Sequence, residues 1–537
     1  MAQRKSKTPT PARPTSRAAA GKRAENTASR PAPAAPAGEF KLRGSAETSA
    51  SGLSLPLSTL RDQAKVVAEF RPGATRGAAP ERTVSVGSED LIEIELDDGQ
   101  RLWMSGRDYR ERYAGVATRD AAGEDLIAVP AQLQVLPPGM QTRGPVAWVV
   151  KSLKVVGLDL SKHSALGIAQ LVDNKISAER RPGLGLHRCR TETGKFALTG
   201  AGKQDLGSNQ PQLLFLHGTA SSTWGSFGDL WSAERSAELR ALRDKYGNAI
   251  FAFEHGSLAS SPVANAIELL KSLPKGARLH LVTHSRGGLV GELLCRAGRT
   301  QGDPFGSREI QAYRASLAAR GEELDEDINV AERVAELEEL NRRLSEVGPV
   351  IERCVRVACP TLGTTLASRR LDRWLSVIGN VCGMALPDTP LSDWFSDIGD
   401  FFAAVVAKRT DPATLPGLEA MMPDSGLIRL VNWPTALVAG DLTVVAGDID
   451  PDAWWAKLLI WATDRFYEGD HDLVVNTASM FGGATRAGEA LVSLHKGSSV
   501  NHFNYFKNKP SAEALVRGLT HKAGDSAGFE PLARPTE

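Results

Sequence analysis

The stretch Leu279-His280-Leu281-Val282-Thr283-His284-Ser285-Arg286-Gly287-Gly288-Leu289-Val290 constrains this chain more than any other. An apolar run of strand length passes, with almost no linking residues, into a second apolar run that opens on two glycines. Such a run reads as a buried strand, a very tight turn with a serine at its tip, and the start of a helix. Thr283 to Gly287 departs from the G-x-S-x-G elbow pattern only at its first position, where threonine stands for glycine. The serine of such a turn sits at a strained backbone position. Its neighbours two before and two after must therefore be small enough for strand and helix to pass closely. Gly287 meets that demand fully and Thr283 only in part. A glycine-rich strand–helix turn without chemistry has the same signature, so the surrounding chain must separate the two.

The surroundings are a run of βα units. Leu213 to Leu216 is short and wholly apolar, as expected of a parallel strand buried on both faces, and ends at His217-Gly218-Thr219-Ala220. Trp224 to Tyr246 has helical character, and Ala249 to Phe253 is a second buried strand ending at Glu254-His255-Gly256. Pro262 to Leu273 reads as a helix with Ala264, Ile267, Leu270 and Leu273 on one face. The elbow strand follows, then a helix from Leu289 to Arg296. This order predicts an α/β fold with a doubly wound, mostly parallel sheet. Between 301 and 348 an insertion carries Val330, Val334, Leu337, Leu340 and Leu344 at helical spacing amid charges, read as a long amphipathic helix with an exposed charged face. It is read first as decoration and second as a surface for a protein partner. Two apolar helical stripes over 371–408, including Trp394 and Phe395, suit either a core pair or a lid.

Composition narrows the function classes. Lys and Arg total 64 against 63 Asp and Glu, a net charge of +1, so the chain as a whole is not built to hold nucleic acid. No apolar run reaches the roughly 18 residues that a membrane-crossing helix needs. The basic N-terminus lacks the apolar core of a secretory signal. The five cysteines are scattered without metal or redox spacing, which suits reduced thiols in a cytoplasmic protein. Residues 1–50 are rich in Ala, Pro, Ser, Lys and Arg and are expected to be a disordered tail, suited at most to weak association with an anionic surface and to no specific nucleic acid. Residues 51–160 read as a small β-rich accessory domain. There, Leu91 to Leu96 and Arg101 to Met104 flank an Asp97-Asp98-Gly99 hairpin turn. Residues 161–205 read as a connecting segment, 206–525 as the main domain, and 526–537 as a disordered end.

The segment from about 211 to 296, with parts of 350–507, resembles an α/β-hydrolase of the lipase/esterase type, the group that includes bacterial lipases and GPI-inositol-deacylase-like hydrolases. Val355 to Thr364 is similar to the strand and "TPxxGT" stretch that follows the elbow helix in such lipases, with Cys359 where they usually carry threonine. Glu468-Gly469-Asp470-His471-Asp472-Leu473-Val474 resembles the loop that bears their catalytic acid. Val500-Asn501-His502-Phe503 falls after a strand-like Ala490 to Leu494, where their catalytic base lies. The resemblance implies an α/β-hydrolase fold and the chain order Ser285, Asp472, His502 for a catalytic triad. Asp448 and Asp470 stay open as alternative acids and His495 as an alternative base. The amides of Thr219 and Arg286 are the implied oxyanion donors. His217, Gly218, Glu254, His255, Trp394 and Phe395 are candidates to line the substrate site, and 371–408 would be the lid. The implied activity is hydrolysis of an acyl ester, lipid-like, through an acyl-enzyme. A non-catalytic adaptor on the same scaffold, and an acyltransferase or thioesterase using the same serine, are the alternatives. No cofactor or metal is implied.

Overall fold

The computed structural model is described over residues 39–533, apart chiefly from 48–51, 73–79, 136–145, 160–163, 365–398, 406–414 and 449–471 and some shorter loop stretches. The expected lid helices up to 398, with Trp394 and Phe395, the alternative acid Asp470, and the tail up to residue 38 lie outside the described residues.

Parallel strands buried on both faces need near-continuous apolar sequence, and the chain supplies it in sequence order. Gln212–Leu216 lies between Ile250–Glu254 on one side and Arg278–His284, the central strand, on the other. Beyond the elbow strand come Val350–Val357, Asp441–Asp448 and Ala490–Lys496, all parallel. Antiparallel strands finish both edges of this nine-stranded sheet, Gly185–Glu192 and Lys195–Gly200 at one end and Glu530–Pro531 at the other. The result is a mixed α/β architecture around one large, mostly parallel sheet. Helices cover both faces, as side-chain alternation along the elbow strand shows. Its Thr283 and Leu281 lie against Gly291 of the helix Gly287–Cys295. His280, of the opposite parity, meets Tyr246 of the helix Ser236–Tyr246 through a 2.6 Å hydrogen bond.

The N-terminal region departs from the sequence reading at both of its ends. Phe40–Ser45 is a strand, not part of a disordered tail reaching residue 50. It pairs with Glu81–Val86 and Asp125–Ala128, and Phe40 and Leu42 are fully buried. Two apolar residues two apart were enough to fill one face of a strand, too short a signal to stand out from the Ala/Pro-rich sequence before it. Residues 161–205 are likewise more than a connector. They carry the helix Ala165–Arg180 and the edge hairpin 185–200 of the large sheet. The Leu91–Leu96 and Arg101–Ser105 hairpin forms as the turn residues predict. Its acidic position Glu93 is buried, and its carboxylate accepts from Trp103 Nε1 at 3.1 Å, Lys154 Nζ at 3.2 Å and the Ser54 amide at 3.2 Å. That inward carboxylate is tolerated because every one of these donors is supplied by the same sheet or by Ser54.

The insertion after the elbow helix is two helices, Ser307–Leu324 and Val330–Val347, rather than one. Val334, Leu337, Leu340 and Leu344 are all buried, so the apolar stripe is spent on the main core and the face left outside is charged.

Behind the elbow helix, Glu292 is buried between two arginines. Arg356 Nη1 and Arg486 Nη2 each approach its Oε1 at 2.6 Å, and the Ala484 amide donates to Oε2 at 3.1 Å. Burial alone would raise the Glu292 carboxyl, but the two guanidinium charges outweigh it and hold it below its usual range. Removing the shared partner strands two buried cations. Glu292→Gln is therefore expected to cost about 3–5 kcal/mol of stability, read from the midpoint of urea unfolding. A loss below about 1 kcal/mol, the scale of an exposed ion pair, would show that the triad does not hold the fold.

Candidate active site

Ser285 follows the last residue of the elbow strand and is separated from the helix by Arg286 alone. Its φ is +52°, in the left-handed region that costs a non-glycine residue on the order of 1–3 kcal/mol. The turn is held from both sides, by Ser285 N–H donating to the Val357 carbonyl and by Gly288 N–H donating to the Ser285 carbonyl, both at 2.9 Å. Gly287 is required by its surroundings, because a Cβ there would lie 2.3 Å from the Leu216 carbonyl oxygen. Gly288 meets the buried Cys359 thiol in the same way, at 2.2 Å; burial pushes that thiol up to about 12.

The threonine that breaks the elbow pattern has a compensating partner. A Cβ added at Gly291, on the first turns of the helix, would stand 2.9 Å from Thr283 Cγ2. The bulk that glycine would have spared at 283 is thus removed from the helix instead. Gly291→Ala is expected to cost about 1–3 kcal/mol through overpacking, and Thr283→Ala in the same chain to recover most of it. A double-mutant cycle on thermal or chemical unfolding gives the coupling; additive single effects would disprove this compensation. Among the described residues the buried Thr283 Oγ1 has no hydrogen-bond partner, so the hydroxyl is not what favours threonine here.

Asp472 is fully buried in the loop before the short helix Thr477–Phe481. Its Oδ1 accepts the amides of Val474 at 3.1 Å and Val475 at 2.8 Å, and its Oδ2 accepts His502 Nδ1–H at 2.9 Å and the Tyr505 hydroxyl at 3.0 Å. Burial pushes this carboxyl up, but the His502 charge and these hydrogen bonds outweigh it, and the net shift is downward. The two loops are also joined through the backbone, His502 N–H donating to the Asp472 carbonyl at 2.9 Å. Tyr505, its phenol raised far above its usual value by burial and by the Asp472 charge, serves that carboxylate as a donor.

His284 ties this acid–imidazole pair to the elbow. Its Nε2 lies 3.0 Å from the His502 carbonyl and must carry the proton there, which leaves Nδ1, 3.2 Å from Ser226 Oγ, as an acceptor. Burial first, and then the neighbouring His502, lower His284 to about 3, so it is a neutral bracket. On the other side, Gly218 lies directly against the serine, since a Cβ there would come 2.9 Å from Ser285 Cβ.

The remaining candidates divide. His217 and Glu254 are wholly buried and His255 nearly so. Glu254 Oε1 accepts the Thr223 amide at 2.8 Å, the His217 and His255 rings stack at 3.9 Å, and the His255 amide donates to His217 Nε2 at 3.2 Å. These three side chains are engaged in holding the loop after Gln212–Leu216. Asp448 ends its strand paired to Lys496 at 3.2 Å, and His495 sits on the neighbouring strand with Nε2 3.1 Å from Ser493 Oγ. Neither has a hydrogen bond with the Asp472–His502 pair among the described residues.

Two residues, and the side-chain role of Arg286, escaped the sequence reading. Arg286, next to the serine, buries its whole side chain and donates to the Gly417 carbonyl at 3.1 Å, Asn265 Oδ1 at 2.9 Å and the Ser260 carbonyl. Burial lowers it to about 10, which leaves it charged at neutral pH. Asp173, from the supposed connector, accepts the amides of Ser257, Leu258 and Ala259 at 2.9–3.3 Å and so shapes the loop that Arg286 holds from the other side. Tyr505 is the other residue. No local pattern marks any of them, because each acts on a loop far away in sequence.

A family model described as a domain of unknown function, DUF7379, matches residues 189–345 and 329–520, well over half of the sequence. The chain belongs to the DUF7379 family. The matched span of this DUF7379 protein takes in the elbow, the Asp472 loop and His502. No curated protein matches its sequence. Among solved structures it is similar to lipase 1 from Pelosinus fermentans, with 14% identity, a TM-score of 0.33, and coverage of 59% of this chain and 100% of that one. The mature lipase BlEst2 of Bacillus licheniformis gives 13% identity and a TM-score of 0.28 over 59% of this chain and 96% of that one. The phospholipase PlaB of Legionella pneumophila gives 14% and 0.31 over 59% and 61%. Among the described residues of the DUF7379 chain, no helix is long and apolar enough to cross a membrane.

Proposed function

We propose that this DUF7379 protein is a serine ester hydrolase of the α/β-hydrolase type, acting on a lipid-like acyl ester. The observation that carries the reading is the pairing of His502 Nδ1 with the buried Asp472 carboxylate, in a loop whose carbonyl is bound by the residue preceding a left-handed serine. A carboxylate on Nδ1 fixes the tautomer that leaves Nε2 free to act as a base, and stabilises the imidazolium once it forms.

In this reading Ser285 Oγ attacks the ester carbonyl carbon while its proton passes to His502 Nε2. The carbonyl π pair moves to oxygen, and the amides of Thr219 and Arg286 meet the resulting oxyanion. Collapse breaks the bond to the alcohol, which leaves with the proton from His502, and an acyl-serine remains. Water then gives a proton to His502 and attacks the acyl carbon. Release of the carboxylic acid returns the proton to Ser285. Each step uses one base, which also serves as the acid, and no charge is left uncompensated in a buried site.

The test is covalent labelling of the full chain with a fluorophosphonate, mapped by peptide mass spectrometry, alongside turnover of p-nitrophenyl esters of increasing chain length. Labelling at Ser285 with turnover supports the reading. A chain that turns over none of the esters and takes label nowhere, or at another serine, would falsify it.

A further inference from the structure

We propose that Ser226 and Ser257 are positioning residues that bracket Thr219 and hold the loop supplying half of the oxyanion site. The proposal rests on the hydrolase reading above. Gly218, Thr219 and Ala220 are consecutive, and Gly218 lies against Ser285. The amides on either side of Thr219 are both tied to serine hydroxyls from other parts of the chain. Gly218 N–H donates to Ser226 Oγ at 3.2 Å, and Ala220 N–H donates to Ser257 Oγ at 2.7 Å. Both serines are buried.

The bracket holds a conformation that the loop would not choose alone. Ala220 has φ of +48°, in the left-handed region, where a side chain is strained. The Ser257 hydroxyl fixes the amide of that same residue. Ser257 is fixed in turn, because its own amide donates to the buried Asp173 carboxylate at 3.0 Å. Ser226 sits in the helix Thr223–Phe227 and is matched chemically to its neighbours. It accepts from Gly218 and is 3.2 Å from His284 Nδ1, the ring nitrogen left as an acceptor by the bond from His284 Nε2 to the His502 carbonyl. It also lies 3.1 Å from Ser221 Oγ. One hydroxyl thus spans the oxyanion loop and the elbow. An oxyanion donor is effective only if it is aimed before charge develops. Two neighbouring amides tied inward by independent elements are a direct way to fix the peptide between them.

The test uses the full chain carrying Ser257→Ala or Ser226→Ala. It measures kcat and KM on a p-nitrophenyl ester, the thermal midpoint, and inhibition by an alkyl boronic acid, whose tetrahedral serine adduct places a negative oxygen where the oxyanion would sit. Each variant is expected to lose on the order of 10-fold in kcat, less than the 100- to 1,000-fold for removing an oxyanion donor outright. KM should stay nearly constant, boronate affinity should fall by about the same factor as kcat, and fluorophosphonate should still label Ser285. Unchanged kcat and boronate affinity in a folded variant would overturn the proposal. So would a loss confined to KM, or collapse of the fold in both variants, which would assign the hydroxyls to stability alone. A parent chain that takes no label at Ser285 and turns over no ester points elsewhere, to failure of the hydrolase reading, and this proposal falls with it.

Discussion

Ser285→Ala is expected to abolish fluorophosphonate labelling and to lower kcat for ester hydrolysis by roughly a million-fold, the scale seen when a nucleophile that works as a unit with its base is removed. The variant should remain folded. Alanine already occupies the same left-handed backbone region in this chain at Ala220 and Ala358, and the bonds that hold the turn are from the backbone of residue 285, not its hydroxyl. The comparison of the two proteins is therefore clean, with a matched thermal midpoint on one side and labelling plus turnover on the other. Turnover that persists in the variant would place the nucleophile elsewhere.

Asp472→Asn is the second large effect, with kcat expected to fall about 10,000-fold while the fold persists. An amide in place of the carboxylate no longer holds His502 in the tautomer whose Nε2 can take the serine proton, nor balances the imidazolium. The same change gives a signature in stability against pH. The Asp472 carboxyl is held below its unfolded value: burial opposes this, but the His502 charge and the hydrogen bonds outweigh it. A depressed carboxyl contributes stability that is fully present above its unfolded pKa, about 3.9, and is lost as pH falls through its lower folded value. The deficit of the variant should accordingly be full at neutral pH and shrink as the pH is taken below about 4. Unfolding midpoints of both proteins between pH 3 and 7 read this directly. Parallel curves would mean that folding leaves the pKa of this carboxyl unchanged.

The two effects depend on different layers of the molecule. Ser285 acts through its own oxygen, whereas Asp472 acts only through where it holds His502. The donors around Asp472, two backbone amides and Tyr505, keep that carboxylate in place. The dense packing behind the elbow keeps the serine in its strained turn: Gly287 against Leu216, Gly291 against Thr283, and Glu292 between Arg356 and Arg486.

The parallel sheet was legible because burial on both faces forces short, continuous apolar runs: Leu213 to Leu216 and Ile250 to Phe253 obey that rule, and Leu279 to Val282 breaks it only at His280. The elbow was legible because a serine at positive φ leaves so few residue types possible beside it. The hairpin at Asp97-Asp98-Gly99 was legible for the same local reason. The strand at Phe40 and the hairpin at 185–200 were not, since each is stabilised by what it pairs with and not by its own pattern. The insertion's division into two helices was missed because helical spacing alone does not say where a chain turns back.

By itself, then, the sequence determined the order of the βα units and the place of Ser285 at the tip of a tight turn, because both follow from local sterics and from the apolar pattern along the chain. Only the tertiary structure decided which acid faces which imidazole, that His495 and Asp448 have other partners, and how Thr283 is tolerated. Those outcomes depend on contacts between residues far apart in sequence: Asp472 with His502, His284 with the His502 carbonyl, Thr283 with Gly291, and Ser257 with Ala220. A hydrogen bond acts only within about 3.5 Å, and only the packing of the whole chain can set that distance.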